Sequence, residues 1–135
     1  MIHRRVLDTN FIIRVLVRDN EKQVKIAEKL FNACERGEVA LIVLPVVLAE
    51  CVFVLESFYD RSKEDITTAL QGLIIAQGIE MADVGLYSDA LRRYGVTNLH
   101  FVDCVIAAFA AAKNFPVSSF DAGFRSQNDV KVELD

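Results

Sequence analysis

An acidic side chain stands inside the longest apolar stretch of the chain. From Val39 to Leu55 the sequence reads VALIVLPVVLAECVFVL, and its only ionisable groups are Glu50 and the thiol of Cys51. If the part after Pro45 is helical, the residues three and four positions from Glu50 are all apolar, so its carboxylate lies on an apolar face. An unpaired charge on such a face is costly when it is buried. Glu50 is therefore predicted to be a buried acid that has a cation, a proton or another partner.

Three other acids stand at the ends of predicted elements. Asp8 directly follows a short apolar strand, and Asp121 directly follows the predicted core strand Val117–Phe120. Asp103 lies near the start of a predicted helix, beside the apolar residue Ile106 on the same face. Each acid also has a structural interpretation. Asp8 is a favourable helix cap, Asp103 suits the positive end of a helix dipole, and Asp121 is a common turn residue.

The pattern of apolar residues alternates between strand-like and helix-like segments. Strands are predicted at 4–7, 39–43, 79–81, 117–120 and 130–133, and helices at 11–17, 20–37, 45–59, 62–78, 84–94 and 100–113. Side chains that can cap helices support two of these starts, Asn20 and Ser62, and Pro45 suits the first turn of a third helix. The alternation predicts an α/β fold with a mainly parallel sheet of four to five strands and helices on both faces.

The predicted topology brings acids to one edge of the sheet. Ligands of parallel sheets bind at the carboxyl ends of the strands, where Asp8, Glu50 and Asp121 are expected. Carboxylates that meet there repel one another by roughly 4 kcal/mol per close pair at an effective dielectric near 20. Divalent cations, or protonation of some members, relieve this repulsion. Ligands made only of carboxylates suit Mg²⁺ or Mn²⁺ rather than Zn²⁺, and such metals commonly support hydrolysis at phosphorus.

Composition restricts the class of protein further. The chain has 135 residues, 53% of them hydrophobic, which predicts one domain over residues 1–135 with a core that needs no disulfides. Cys34, Cys51 and Cys104 are widely spaced in apolar contexts and are predicted to be buried free thiols. Neither a signal peptide nor a membrane span is recognisable, so a cytoplasmic protein is expected. The net charge of −4 means that a nucleic acid must meet a local basic patch or a bound metal.

The order of these motifs resembles that of PIN-domain ribonucleases, and the length is similar to that of VapC-type toxins of toxin–antitoxin pairs. The resemblance extends over essentially the whole chain. It rests on Asp8-Thr9-Asn10, on Glu50 in the helix after the second strand, on Asp103 at the head of a helix rich in Ile and Ala, and on Ser119-Phe120-Asp121 after a strand. It implies a three-layer α/β/α PIN-like domain.

The resemblance also implies an activity and roles for particular residues. The activity is Mg²⁺- or Mn²⁺-dependent hydrolysis of RNA, leaving 5′-phosphate and 3′-hydroxyl ends. Four acids would be both metal ligands and catalytic residues: Asp8, Glu50, Asp103 and Asp121. Thr9, Asn10 and Ser119 would support the site through hydrogen bonds. Gly123 stands where relatives often carry a further acid, so the resemblance leaves open whether one or two metals bind. It further implies a homodimer and a small antitoxin whose C-terminal segment enters or covers the active site.

Two other functions compete with the ribonuclease. A catalytically inactive PIN-like module would bind RNA or a protein without cleaving anything. A phosphatase of the haloacid dehalogenase type also begins with an acid after a strand, but that chemistry needs a second acid two residues on, where this chain has Asn10. His100 is a further candidate, as a general acid or an RNA contact. The candidate phosphate contacts are the arginines Arg4, Arg5, Arg14, Arg18, Arg92, Arg93 and Arg125.

Overall fold

A computed structural model describes residues 2–135 of the chain. These residues form two compact units, 2–84 and 85–135, and each is described by itself. Along the chain the elements are β1 (His3–Val6), α1 (Thr9–Val17), α2 (Glu21–Glu35), β2 (Val39–Ile42), α3 (Pro45–Ser57), α4 (Lys63–Ile74), β3 (Ile79–Glu80), α5 (Val84–Val96), α6 (Phe101–Lys113) and a 3₁₀ helix (Ala122–Ser126).

The first unit contains a parallel sheet in the order β1-β2-β3. His3 pairs with Val39 and Val6 with Ile42, while Leu41 pairs with Ile79 on the other side of β2. The central strand is the most buried because it has a neighbour on both sides, and Leu41 is fully inaccessible to solvent. Helices α1 and α2 contact each other, α2 contacts β2, and α3 contacts both α1 and α4. The α/β class and the parallel sheet are thus confirmed.

Local signals in the sequence account for the helix starts in this unit. The Asn20 side chain accepts a hydrogen bond from the Gln23 backbone N–H at 3.1 Å, and the Ser62 hydroxyl accepts one from Asp65 at the same distance. Pro45 occupies the first turn of α3, where a missing N–H costs no hydrogen bond. Gly78 ends the loop after α4 with a φ of +86°, and a Cβ there would overlap Cys34. The predicted starts of these three helices are confirmed.

The second unit consists of α5, α6 and an irregular C-terminal segment. Its core contains Ala107 and Ala110 of α6 together with Val117, Phe124 and Val130. Tyr94 of α5 packs edge-on against Phe101, with ring centroids 6.1 Å apart. Small alanines on α6 let the C-terminal segment approach this helix closely.

The prediction of four to five strands was wrong for the residues that the structure describes. Three strands form the sheet, and the predicted strands at 117–120 and 130–133 are reduced to one parallel bridge between Val117 and Val132. A segment extends into a strand only where a partner continues the ladder, and here the pairing stops after one residue. The prediction of a single domain over 1–135 stays a prediction.

Two simpler predictions can also be compared with the structure. Cys34, Cys51 and Cys104 are free and buried, as predicted. Within residues 2–135, no helix combines the length and the apolar character that crossing a bilayer requires.

Candidate active site

Asp8 lies where β1 gives way to α1. The backbone N–H of Leu7 still bonds to the carbonyl of Ile42 at 2.9 Å, so the parallel ladder holds the chain up to this point. Asp8 occupies the N-cap position of α1 with extended backbone angles, and its carbonyl accepts a hydrogen bond from Phe11 at 3.1 Å. Its side chain makes no capping hydrogen bond and is exposed. The carboxylate is therefore not used to cap the helix.

Glu50 lies on α3, but its predicted burial was wrong. The side chain is exposed, and so are Val46 and Phe53 on the same face, at 71% and 67% of their surface. The opposite side of the helix, with Leu48 and Cys51, packs into the core of the first unit. Helical spacing identified an apolar face around Glu50 correctly. The spacing does not show whether other parts of the protein cover that face, because this depends on residues distant in the sequence.

Asp8 and Glu50 both act on one buried thiol. Burial raises the pKa of Cys51 to about 12, and the negative charges of Glu50 and Asp8 add to the rise. Two acids from different elements of the first unit are therefore close enough to the same sulfur to influence its ionisation. The Cys51 thiol stays protonated at neutral pH.

Asp103 and Asp121 line one cavity in the second unit. Asp103 lies in the first turn of α6, half-buried, and Asp121 caps the 3₁₀ helix. The cavity has a volume of about 680 Å³. Its other polar side chains are Thr97, Asn98, His100 and Ser126. The sequence analysis did not identify Thr97, Asn98 and Ser126 as site residues. The sequence indicates them only by position, because Thr97 and Asn98 lie just before α6 and Ser126 lies five residues after Asp121.

The loop that carries Asp121 is held by short-range hydrogen bonds. The Asp121 backbone N–H donates to the Ser119 hydroxyl at 3.0 Å, and the Asp121 Oδ1 accepts from the Gly123 backbone N–H at 2.8 Å. Asp121 therefore acts as a turn residue through one carboxylate oxygen, and its second oxygen is left for another partner. Ser119 is the one proposed support residue that contacts the backbone of a candidate acid.

None of the four acids is neutralised by a basic side chain of the described residues. The ion pairs seen between residues 2 and 135 engage other acids, and the carboxylates of Asp8, Glu50 and Asp103 accept no hydrogen bond from that part of the chain. Oxygen atoms without protein partners remain available for a hard cation.

The structure shows the acids as two pairs, one in each unit. Within residues 2–135 there is no group of three or more His, Cys, Asp or Glu side chains placed to hold a metal ion. In that same span, the side chains of Thr9 and Asn10 make no hydrogen bond; Thr9 is buried and Asn10 is exposed. His100 is exposed at the N-cap of α6 and makes no capping hydrogen bond with its side chain.

Comparison with known proteins identifies the family. The PIN domain family model matches residues 5–129, and the chain belongs to this family. A solved structure, VapBC2 from Rickettsia felis bound to a DNA fragment from its promoter, is similar over 98% of each chain, at 17% sequence identity and a TM-score of 0.39. No curated protein sequence matches this chain.

Proposed function

We propose that this PIN-domain protein is a Mg²⁺- or Mn²⁺-dependent endoribonuclease and the toxin component of a type II toxin–antitoxin system, acting in the cytoplasm. Family membership over residues 5–129 supports a nuclease. The observation that carries the proposal is that Asp8, Glu50 and Asp103 have no hydrogen-bond or ion-pair partner among residues 2–135, although acids elsewhere in the chain are paired with arginines. Unpaired carboxylates are the state expected of ligands awaiting a cation.

The donor set fits a hard divalent metal. We propose that the metal is held by the four carboxylates of Asp8, Glu50, Asp103 and Asp121. All are oxygen donors, as Mg²⁺ and Mn²⁺ prefer. One oxygen of Asp121 accepts a hydrogen bond from the Gly123 backbone N–H, which fixes the orientation of that carboxylate. The other oxygen is left to bind the metal. The number of metal ions is left open.

The residues around the acids would position the reacting groups. When bound, the metal would lower the pKa of an attacking water and offset the charge that builds up on the phosphate. Ser119 holds the loop that presents Asp121. Thr9 and Asn10 directly follow Asp8 and are proposed to hydrogen-bond to the site once substrate is present. His100 lines the cavity of Asp103 and Asp121 and is proposed to contact a phosphate of the RNA there.

Removal of one carboxylate charge tests the proposal. Asp8→Asn and Asp103→Asn are each expected to reduce RNA cleavage at least about 100-fold, since losing even an outer-shell partner of a metal costs ~10–100-fold. Cleavage is measured on structured RNAs with Mn²⁺ or Mg²⁺, and the product ends are mapped. Asp83→Asn is a matched control, because this exposed residue has a φ of +55° that asparagine also tolerates. Full cleavage by both variants, or by the wild type in EDTA, would contradict the proposal.

A second candidate is an inactive PIN-like module that binds RNA or a protein. The observation that favours it is the absence, within residues 2–135, of three metal-ligating side chains in one group. The same assay separates the two functions. An inactive module would bind RNA equally well with and without Mn²⁺ and would leave every RNA intact.

The proposed partners are RNA, a second copy of the chain and a small antitoxin. The exposed apolar surface of α3 and the residues after it, including Phe53 and Phe58, is of the kind that protein partners cover. Light scattering of the purified chain measures whether it is a homodimer. Growth arrest on expression, relieved by the reading frame encoded next to it, would support the toxin role, whereas harmless expression of an active nuclease would count against it.

A further inference from the structure

A small cavity in the first unit is lined by both Asp8 and Arg14. It is formed by the start of α1 and the facing side of α2, has a volume of about 210 Å³, and is lined by Asp8, Asn10, Phe11, Arg14 and Gln23, with Ile26 and Ala27 at its apolar side. This is smaller than the roughly 300–1,000 Å³ of sites for drug-sized ligands. One nucleotide unit, or part of it, is therefore the largest group that the cavity accommodates.

The guanidinium of Arg14 is held by hydrogen bonds at two of its nitrogens, whereas the third is not engaged by the described residues. Its Nε donates to Gln23 Oε1 at 2.6 Å, and its Nη1 donates to Asp19 Oδ1 at 3.1 Å and to the Tyr59 hydroxyl at 3.2 Å. Tyr59 in turn donates to Asp19 at 2.8 Å. Nη2 makes no hydrogen bond with any residue between 2 and 135. The guanidinium is thus oriented in advance, with two N–H groups still available.

Other arginines of the chain do not share this arrangement. Arg4 donates to Glu80 through Nε and Nη2, and Arg18 donates to Glu28 through Nη1 and Nη2. Neither arginine lines the cavity. Arg93 is engaged by two acids in the second unit. Arg14 therefore differs from them in combining a fixed position, unused donors and a place beside a candidate catalytic acid.

We propose that Arg14 binds a phosphate of the RNA strand next to the scissile bond, with the adjoining nucleotide in the cavity. This inference rests on the proposed ribonuclease function. The guanidinium donates to non-bridging phosphate oxygens, a pairing for which its planar donors are suited. The half-buried ring of Phe11 forms an apolar wall, and the amides of Asn10 and Gln23 offer hydrogen bonds to the same nucleotide. RNA bound in this way lies beside the Asp8 carboxylate.

Binding is measured in an Asp8→Asn background, so that cleavage does not interfere. The fluorescence anisotropy of a labelled, short single-stranded RNA gives the Kd for D8N and for D8N/R14Q. Loss of one charge-assisted hydrogen bond is expected to raise Kd about 10- to 100-fold. In the chain that retains Asp8, R14Q is expected to raise the KM for RNA cleavage by a similar factor and to change kcat little. R14K should recover part of the lost affinity because it keeps the positive charge.

Two controls separate phosphate binding from a structural role of the same network. Arg36→Gln removes an exposed arginine that pairs with Glu38 outside the cavity, and it should leave Kd unchanged. Tyr59→Phe removes the hydroxyl that supports Arg14 but keeps the guanidinium, so it should lower thermal stability more than affinity. If R14Q and Y59F lose stability alike while Kd and KM stay at wild-type values, the phosphate contact is overturned and the ribonuclease stands. If the wild-type chain neither binds nor cleaves RNA, both proposals fall.

Discussion

At the scale of single residues, Gly123 shows how closely the loop of Asp121 packs on its surroundings. A Cβ at this position would overlap the Cδ2 of Leu99, which is buried, and would stand 3.1 Å from the Asp121 Oδ1. The sequence resemblance led us to ask whether a further acid is accommodated here. In this chain a larger residue requires Leu99 to move, so a further carboxylate does not fit without rearrangement.

Gly123→Ala is therefore expected to destabilise the protein. The overlapping Cδ2 is the end of a flexible side chain that lines the cavity of Asp103 and Asp121, so the cost should lie near the lower end of the ~1–3 kcal/mol typical of overpacking, and the urea midpoint should fall accordingly. Gly72 is the control, because it lies in α4 with nothing within 4 Å of its would-be Cβ. Gly72→Ala should raise stability by about 0.5–1 kcal/mol, since alanine loses less backbone entropy than glycine in a helix. Equal effects of the two substitutions would contradict the close packing at Gly123.

At the scale of elements, one buried arginine ties α5 to the C-terminal segment. The Arg93 side chain is 5% exposed and bonds to Asp89 on its own helix at 2.9 Å. Its Nη1 donates to Gln127 Oε1 at 2.7 Å and to Asp129 Oδ1 at 2.9 Å. The charge is thus matched by two acids, which makes its burial tolerable. The Gln127 Nε2 is buried without a hydrogen-bond partner among the described residues.

Arg93→Gln is expected to lower the free energy of unfolding by about 1–3 kcal/mol, since hydrogen bonds to charged groups are lost and polar groups are left unpaired. The solvent exposure of Asp129, 56%, limits the effect because water screens that pair. Arg92→Gln is the matched control: Arg92 also pairs with Asp89 but is 60% exposed, so the expected loss is under about 1 kcal/mol. Urea unfolding measures both, and a larger loss for R92Q would contradict the assignment.

The same network predicts a dependence of stability on pH. The hydrogen bond from Arg93 lowers the pKa of Asp129 below its ordinary value of 3.8. Burial alone would raise the pKa of Asp89, but hydrogen bonds from Arg93 and Arg92 outweigh it and lower that pKa too. A lowered pKa in the folded state adds stability that is complete above the ordinary value and is lost as pH falls through the lowered one. Lowering the pH below about 3.8 should therefore reduce the free energy of unfolding of the wild type more than that of R93Q.

At the scale of the whole molecule, net charge limits how RNA can be bound. The chain carries 15 basic and 19 acidic residues, giving −4. Bulk attraction to a polyanion is therefore excluded, and affinity must come from a few local contacts. Because each phosphate contact to a single strand contributes about 0.7 to the slope of log Kd against log salt, we expect a slope of ~1–2. R14Q should reduce it by about 0.7, and a slope above ~5 would contradict local binding.

The sequence by itself determined the local structure of this protein. The starts of α2, α3 and α4 follow from Asn20, Pro45 and Ser62, because each start depends on hydrogen bonds or dihedral angles within four residues. The parallel α/β class follows from the alternation of segments. The four candidate acids were also recognisable in the sequence, since their types and order along the chain resemble those of the PIN family.

Only the tertiary structure decided which surfaces are covered and which side chains meet. It showed Glu50 exposed on an uncovered apolar face, and it reduced two predicted strands to the bridge between Val117 and Val132. It singled out Arg14 as the arginine that shares a cavity with Asp8. Burial, strand pairing and cavities depend on residues far apart in the chain, so the spacing of neighbours along the sequence does not by itself fix them.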